Sequence, residues 1–94
     1  MRTQVIQLPG KSKNDIHNYI TKLYSDNLDL IKDYNFNVNR NLDKYYIQGF
    51  VILYKLNATL EISEGSIKID YDTDIPDFFI NKAFVILKHN LSYI

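Results

Sequence analysis

Apolar and polar residues alternate along two neighbouring segments in the second half of the chain. A period of two is typical of a strand with one buried face, and the apolar positions are Leu56, Ala58, Leu60, Ile62, Ile67, Ile69 and Tyr71. A two-residue turn at Glu64-Gly65 would pair Ile62 with Ile67. The same register would place Glu61 opposite Lys68, an acid opposite a base. The pattern therefore predicts an antiparallel hairpin.

Three further segments have the composition of strands. Residues 2–8 predict a first strand, which Pro9-Gly10 ends. Apolar residues alternate with asparagine over 34–39 and predict a half-buried strand, followed by a turn at 40–43. Residues 45–54 are the most apolar stretch and predict one long strand that is apolar on both faces.

A first helix is predicted after the opening strand. Ser12 and Asp15 have the spacing of a capping-box variant, in which the Ser12 hydroxyl accepts a hydrogen bond from a helix amide and Asp15 lies at the positive end of the helix dipole. The apolar residues that follow recur at helical spacing: Ile16, Tyr19, Ile20, Leu23 and Tyr24. The pattern allows this helix to end near Ser25 or to continue to Ile31. His17 is expected on its polar side.

A second helix is predicted at the end of the chain, where Asp74, Pro76 and Asp77 form a typical helix start. Its expected core side is broad and comprises Ile75, Phe79, Ile80, Ala83, Phe84, Ile86, Leu87 and Leu91. Phe78 and Val85 lie roughly opposite on the helical wheel. The chain is thus predicted to be a single α+β domain over 1–94, ordered β-α-β-β-β-β-α, with an antiparallel sheet and the helices packed on one face.

Composition narrows the functional classes. The 94 residues include eleven basic and eleven acidic side chains and no cysteine. A nucleic-acid partner is not expected because the basic excess that phosphate binding needs is missing, and a disulfide framework or thiolate metal site is excluded. No stretch is long and apolar enough for a membrane span or a signal peptide, so the expectation is a cytoplasmic protein without a membrane partner. The bias towards Ile, Asn, Lys, Tyr and Phe suggests an AT-rich bacterium or one of its viruses.

Residues 5–16, VIQLPGKSKNDI, resemble the strand, PGKSK turn and helix start of a bacterial domain of unknown function with a TATA-binding-protein-like fold. Residues 59–74 resemble the closing hairpin of that domain. The resemblance implies the fold. It implies no activity and no site residues, because the family has none assigned, and the name of the fold does not imply DNA binding.

Several motifs resemble chemical sites without completing one. Residues 70–74 begin like a calcium-binding loop, but the required glycine and the final glutamate are replaced by Ile75 and Asn81. The two histidines are too few for a zinc site without cysteine, and no serine has the context of an activated nucleophile. Residues 10–13 lack the spacing of a phosphate-binding loop. We therefore predict no catalytic residue, no metal site and no cofactor.

Surplus apolar surface is the informative feature of the chain. When helices cover one face of a sheet, the other face is normally polar, yet the segment 45–54 is apolar on both. The predicted interface combines residues of this segment with the outer side of the last helix: Tyr46, Phe50, Ile52, Tyr54, Phe78 and Val85.

The leading functional hypothesis is a non-enzymatic structural or protein-interaction module that acts as a homo-oligomer or as an accessory subunit of a larger assembly. A capsid-associated protein of a bacterial virus, located in the virion, is one form of it. The first alternative is a small-ligand-binding domain that uses the groove between helices and sheet, lined by tyrosines and aspartates. The second alternative is a small hydrolytic enzyme, which needs His17 or His89 within hydrogen-bond reach of an acid and a hydroxyl.

Overall fold

The chain folds into a five-stranded sheet, with helices between its first and second strands and after its last strand. The computed structural model describes residues 1–33, 35–51 and 53–94, with the backbone alone at Leu30, Ile31 and Val51. The elements in chain order are β1 (Arg2–Gln7), α1 (Lys13–Asp26), α2 (Leu28–Asp33), β2 (Asn37–Asn41), β3 (Lys44–Val51), β4 (Tyr54–Ser63), β5 (Ser66–Thr73) and α3 (Asp77–Leu91). With α1 and α2 taken as one interrupted helical region, this is the predicted α+β order.

The strands lie in the order β1-β5-β4-β3-β2, and every neighbouring pair is antiparallel. The β4–β5 hairpin has the predicted register, since Ile62 pairs with Ile67 and Glu61 with Lys68. β1 then adds to the free side of β5, where Ile6 pairs with Ile67. The first strand of the chain therefore lies at one edge of the sheet, and β2 lies at the other.

The core lies between one face of the sheet and the helices α1 and α3. It is formed by the inward positions of the strands together with one side of each helix: Ile6, Leu8, Ile16, Ile20, Tyr45, Ile62, Ile67, Ile69, Tyr71, Ile80 and Leu91. The other sheet face carries mainly polar side chains, as the alternation predicts. Both helices thus cover the same face of the sheet.

The helix starts match the prediction at one end of the chain and differ at the other. In the capping box, the Asp15 amide donates to Ser12 Oγ at 3.1 Å and the Ser12 amide donates to the Asp15 carboxylate at 3.3 Å. The prediction that Asp74 starts the last helix is wrong. Pro76 occupies the N-cap position of α3, because the Asp74 amide donates to the Lys55 carbonyl at 3.3 Å and keeps that residue on the sheet.

The predicted long strand over 45–54 is also wrong, because the chain reverses direction between Val51 and Tyr54, which pair across β3 and β4. Tyr54 therefore belongs to the helix-covered face, opposite to that of Tyr46 and Phe50. Ile52 lies outside the described residues.

The strand predicted over 34–39 begins later than the alternation suggests. Tyr34 lies outside the described residues, and Asn35 has a φ of 54°, which is left-handed backbone that a strand does not contain. β2 continues through Asn41, so the turn is formed by Leu42 and Asp43 rather than by residues 40–43.

Candidate functional site

A cavity of about 490 Å³ lies between the helices and the sheet. Its floor is built from inward positions of four strands: Val38, Tyr45, Ile47, Leu56, Ala58, Leu60, Ile69 and Tyr71. Helix α1 and its C-cap contribute Ile20, Leu23, Tyr24 and Asn27, α3 contributes Ile80, Ala83, Phe84 and Leu87, and Phe36 completes the lining. The same alternation that builds the core therefore also builds an apolar hollow beside it.

Small residues keep this hollow open. The chain contains two alanines, Ala58 and Ala83, and both line the cavity, one from the sheet and one from α3. Gly49 has a related role at the end of the cavity, since a Cβ at this position would overlap the Phe36 ring. A strand glycine commonly marks such a close approach. This use of small side chains is the sequence signal for the cavity, and the sequence reasoning missed it.

The cavity opens between α1 and α3. Leu23 and Tyr24 are 40% and 39% exposed, and Ala83 is exposed on the opposite side of the opening. Phe79 and Ile86 lie four residues before and three residues after Ala83, so they are its neighbours on the helix surface. Both are more than half exposed. The apolar wall of the cavity therefore continues outwards onto the surface of α3.

One tyrosine of the cavity floor is tied to a polar cluster on its far side. His17 is buried, so its expected place on the polar side of the helix is wrong. Its Nδ1 lies 2.7 Å from the Tyr45 hydroxyl, and its Nε2 lies 3.0 Å from Asp43 Oδ1. Because a carboxylate can only accept, the Nε2–H of a neutral imidazole donates to Asp43 and its Nδ1 accepts the hydrogen bond from the Tyr45 hydroxyl.

Charges complete the cluster at the surface. Lys13 Nζ lies 3.0 Å from Asp43 Oδ2. The hydrogen bonds from Lys13 and then from His17 lower the pKa of Asp43 below its ordinary value of 3.8, and the carboxylate in turn raises the pKa of Lys13. The cluster fastens the β2–β3 turn to α1, since Asp43 belongs to that turn and its partners to the helix.

The same cluster bears on the hydrolase alternative. The sequence of acid, imidazole and hydroxyl is that of a hydrolytic triad, and the distances are within hydrogen-bond reach. The hydroxyl, however, is the phenol of Tyr45, which is 5% exposed, and a nucleophile has to reach its substrate. Ser12 is engaged in the capping box of α1. The geometry is therefore that of a satisfied buried histidine.

The predicted interface residues are divided between different faces of the molecule. Tyr46 and Phe50 lie on the sheet face without helices, where Phe50 is 55% exposed and their cross-strand partners in β4 are Thr59 and Lys55. Tyr54 lies on the other sheet face. Phe78 and Val85 are 69% and 68% exposed on α3. The most exposed part of the predicted set is therefore the outer side of α3.

Two further candidate groups have hydrogen-bond partners within the fold. Asp70 accepts a hydrogen bond from the Thr3 hydroxyl at 2.6 Å across β1 and β5, and Lys11 donates to the carbonyl of Ile94. Within residues 1–33, 35–51 and 53–94, no group of three or more metal-ligating side chains comes together. None of the described helices is long and apolar enough to cross a membrane.

Comparison with protein-family models, with curated proteins and with solved structures finds no match to this chain. Its function is therefore inferred from the cavity and surfaces described above.

Proposed function

We propose that the chain is a non-enzymatic binding module that holds an apolar ligand in the cavity between α1, α3 and the sheet. The observation that carries this proposal is a hollow of about 490 Å³ whose lining is almost entirely aliphatic or aromatic. Small-molecule sites typically have volumes of roughly 300–1,000 Å³ and mostly apolar walls with a few polar groups. A ligand that displaced water from these walls would stabilise the folded chain.

This proposal is the small-ligand-binding alternative of the sequence analysis, but the residues that line the site differ from those expected. The sequence suggested a groove lined by tyrosines and aspartates. Tyr24, Tyr45 and Tyr71 do line the cavity, but none of the lining residues that the structure describes is an aspartate.

The first test uses Nile red, a neutral dye whose fluorescence rises in apolar surroundings. Ala58→Phe places a large side chain in the cavity floor and is expected to weaken dye binding about ten-fold or more, because filled volume excludes the dye. Thr59→Phe adds a similar ring at the next residue, on the opposite face of the same strand, and is the matched control. Ala83→Phe fills the cavity from α3 and serves if Ala58→Phe fails to fold by circular dichroism. Equal dye binding by the wild-type chain and a folded cavity-filled variant would contradict the proposal.

A protein interface is the second candidate function, and the exposed apolar side of α3 favours it. Phe78, Phe79, Val85 and Ile86 are each more than half exposed there, and apolar patches of this kind often mark contacts between proteins. The partner would be a second copy or a larger assembly, in the cytoplasm or in a virion. Sedimentation of the wild-type chain, Phe78→Asp and Phe50→Asp shows whether the chain associates with itself and whether the contact lies on α3 or on the sheet. Loss of association in Phe78→Asp alone assigns the contact to α3, and a monomeric wild-type chain removes self-association.

A further inference from the structure

The cavity floor extends in both directions of the sheet. Across the strands it reaches from Val38 in β2 to Tyr71 in β5, and since adjacent strands lie about 4.8 Å apart, three spacings give roughly 14 Å. Along β4 it reaches from Leu56 to Leu60, four residues or roughly 13 Å. The floor is therefore about as long as it is wide, and it offers an apolar surface to a flat group as well as to a hydrocarbon chain.

Among the described residues, the cavity lining carries no carboxylate, ammonium, guanidinium or imidazole group. A charged group inside would lose its hydration without a compensating partner, which is costly. The hydroxyl of Tyr45, one of the lining tyrosines, is engaged with His17. The part of the ligand that enters the cavity is therefore uncharged.

The polar end of the ligand is placed by Asn27, the C-cap residue of α1 at the opening, which is the one side-chain amide among the described residues of the lining. Its Nδ2 donates to the Leu23 carbonyl at 2.8 Å. A primary amide has a second hydrogen and a carbonyl oxygen, and no hydrogen bond from either to another described residue is present. Asn27 can thus donate one hydrogen bond and accept another at the entrance.

The electrostatic surroundings of the opening decide the charge of the polar end. A second hollow adjoins the cavity and shares Leu23 with it. Its charged side chains are Asp15, Asp26 and Lys22, two acids and one base. A carboxylate at the entrance would meet net negative charge there, and a neutral hydroxyl or amide would not.

On the premise that the proposed function is correct, we infer that the ligand is a neutral amphiphile whose hydroxyl or amide binds Asn27 and whose hydrocarbon part lies on the apolar floor of the cavity. Long-chain alcohols and primary acyl amides have this chemistry.

The test compares three probes of equal chain length, 1-dodecanol, dodecanoate and dodecyltrimethylammonium, as competitors of Nile red below their aggregation thresholds. The alcohol is expected to displace the dye at a concentration about ten-fold lower than either ion, because the carboxylate meets net negative charge at the entrance and the trimethylammonium group cannot form a hydrogen bond with Asn27. Stronger displacement by the carboxylate or the ammonium probe overturns the inference while leaving the proposed function intact. Dye binding that the Ala58→Phe exchange does not affect is the separate result that removes the proposed function itself.

Asn27→Ala tests the position of the polar end. It is expected to weaken dodecanol binding, relative to Nile red binding by the same variant, about five- to ten-fold, which is the loss of roughly one hydrogen bond. Asn14→Ala, an exposed asparagine on the same helix, is the control. Unchanged dodecanol affinity in a folded Asn27→Ala variant overturns the assignment of the polar end to this residue.

Discussion

The hydrogen bond between His17 and Tyr45 allows a double-mutant test of how the sheet is joined to α1. Both residues are buried, and the two atoms lie 2.7 Å apart. His17→Leu keeps a side chain of similar size but leaves the Tyr45 hydroxyl without its acceptor, which costs about 1–3 kcal/mol of the free energy of unfolding. Tyr45→Phe leaves Nδ1 of the buried imidazole without its donor, at a similar cost.

The double variant should lose much less than the sum, because replacing both partners by apolar groups removes the unsatisfied atoms. We expect a coupling free energy of about 1–2 kcal/mol, since contacting residues couple by roughly 0.5–3 kcal/mol. Urea unfolding followed by far-ultraviolet circular dichroism measures it. With a slope near 1 kcal/mol/M, each single variant should lower the urea midpoint by about 1–3 M.

Tyr46→Phe is the matched control, because Tyr46 is the next residue of β3 and is half-exposed on the opposite face. Removing its hydroxyl should change stability by less than about 0.5 kcal/mol. If the losses in His17→Leu and Tyr45→Phe are additive to within about 0.5 kcal/mol, the hydrogen bond does not contribute as argued.

Three further predictions concern the turn and the end of the cavity. Gly49→Ala should destabilise the fold by about 1–3 kcal/mol, because its Cβ overlaps the Phe36 ring; a neutral change in thermal unfolding would contradict this packing. Leu42→Gly should stabilise by about 0.5–1 kcal/mol, because Leu42 has a φ of 56° and is exposed; a lower melting temperature would count against it. The pKa of Asp43 lies below 3.8 in the folded chain because Lys13 and the buried imidazole donate to it. The ionised Asp43 therefore contributes to the free energy of unfolding above pH 3.8, and this contribution is lost as the pH falls through the lower pKa of the folded chain. The stability difference between the wild-type chain and Asp43→Asn should accordingly narrow in acid. A difference that does not change with pH would refute the proposed role of the Asp43 carboxylate.

The sequence determined the features of this protein that depend on local pattern. The period of two specified the inward face of β4 and β5 and the register of their hairpin, because a slip of one residue would expose every apolar side chain of a strand. The capping box specified the start of α1 for the same local reason, since Ser12 and Asp15 satisfy each other's amides. These patterns were enough for the α+β class and the order of its elements.

The tertiary structure alone decided the features that depend on contacts between distant segments. The run 45–54 is apolar except at Gln48 and Gly49, so its pattern carries no signal for the reversal between Val51 and Tyr54. That reversal places Tyr54 on the opposite face of the sheet from Tyr46. His17 was expected on the polar side of α1 because its side chain is polar. Its burial depends on hydrogen bonds to Asp43 and Tyr45, which lie 26 and 28 residues away in the sequence. A local sequence pattern does not indicate contacts over such a separation. The cavity is likewise a property of packing, because the volume that Ala58 and Ala83 leave open is defined only when the sheet and α3 come together.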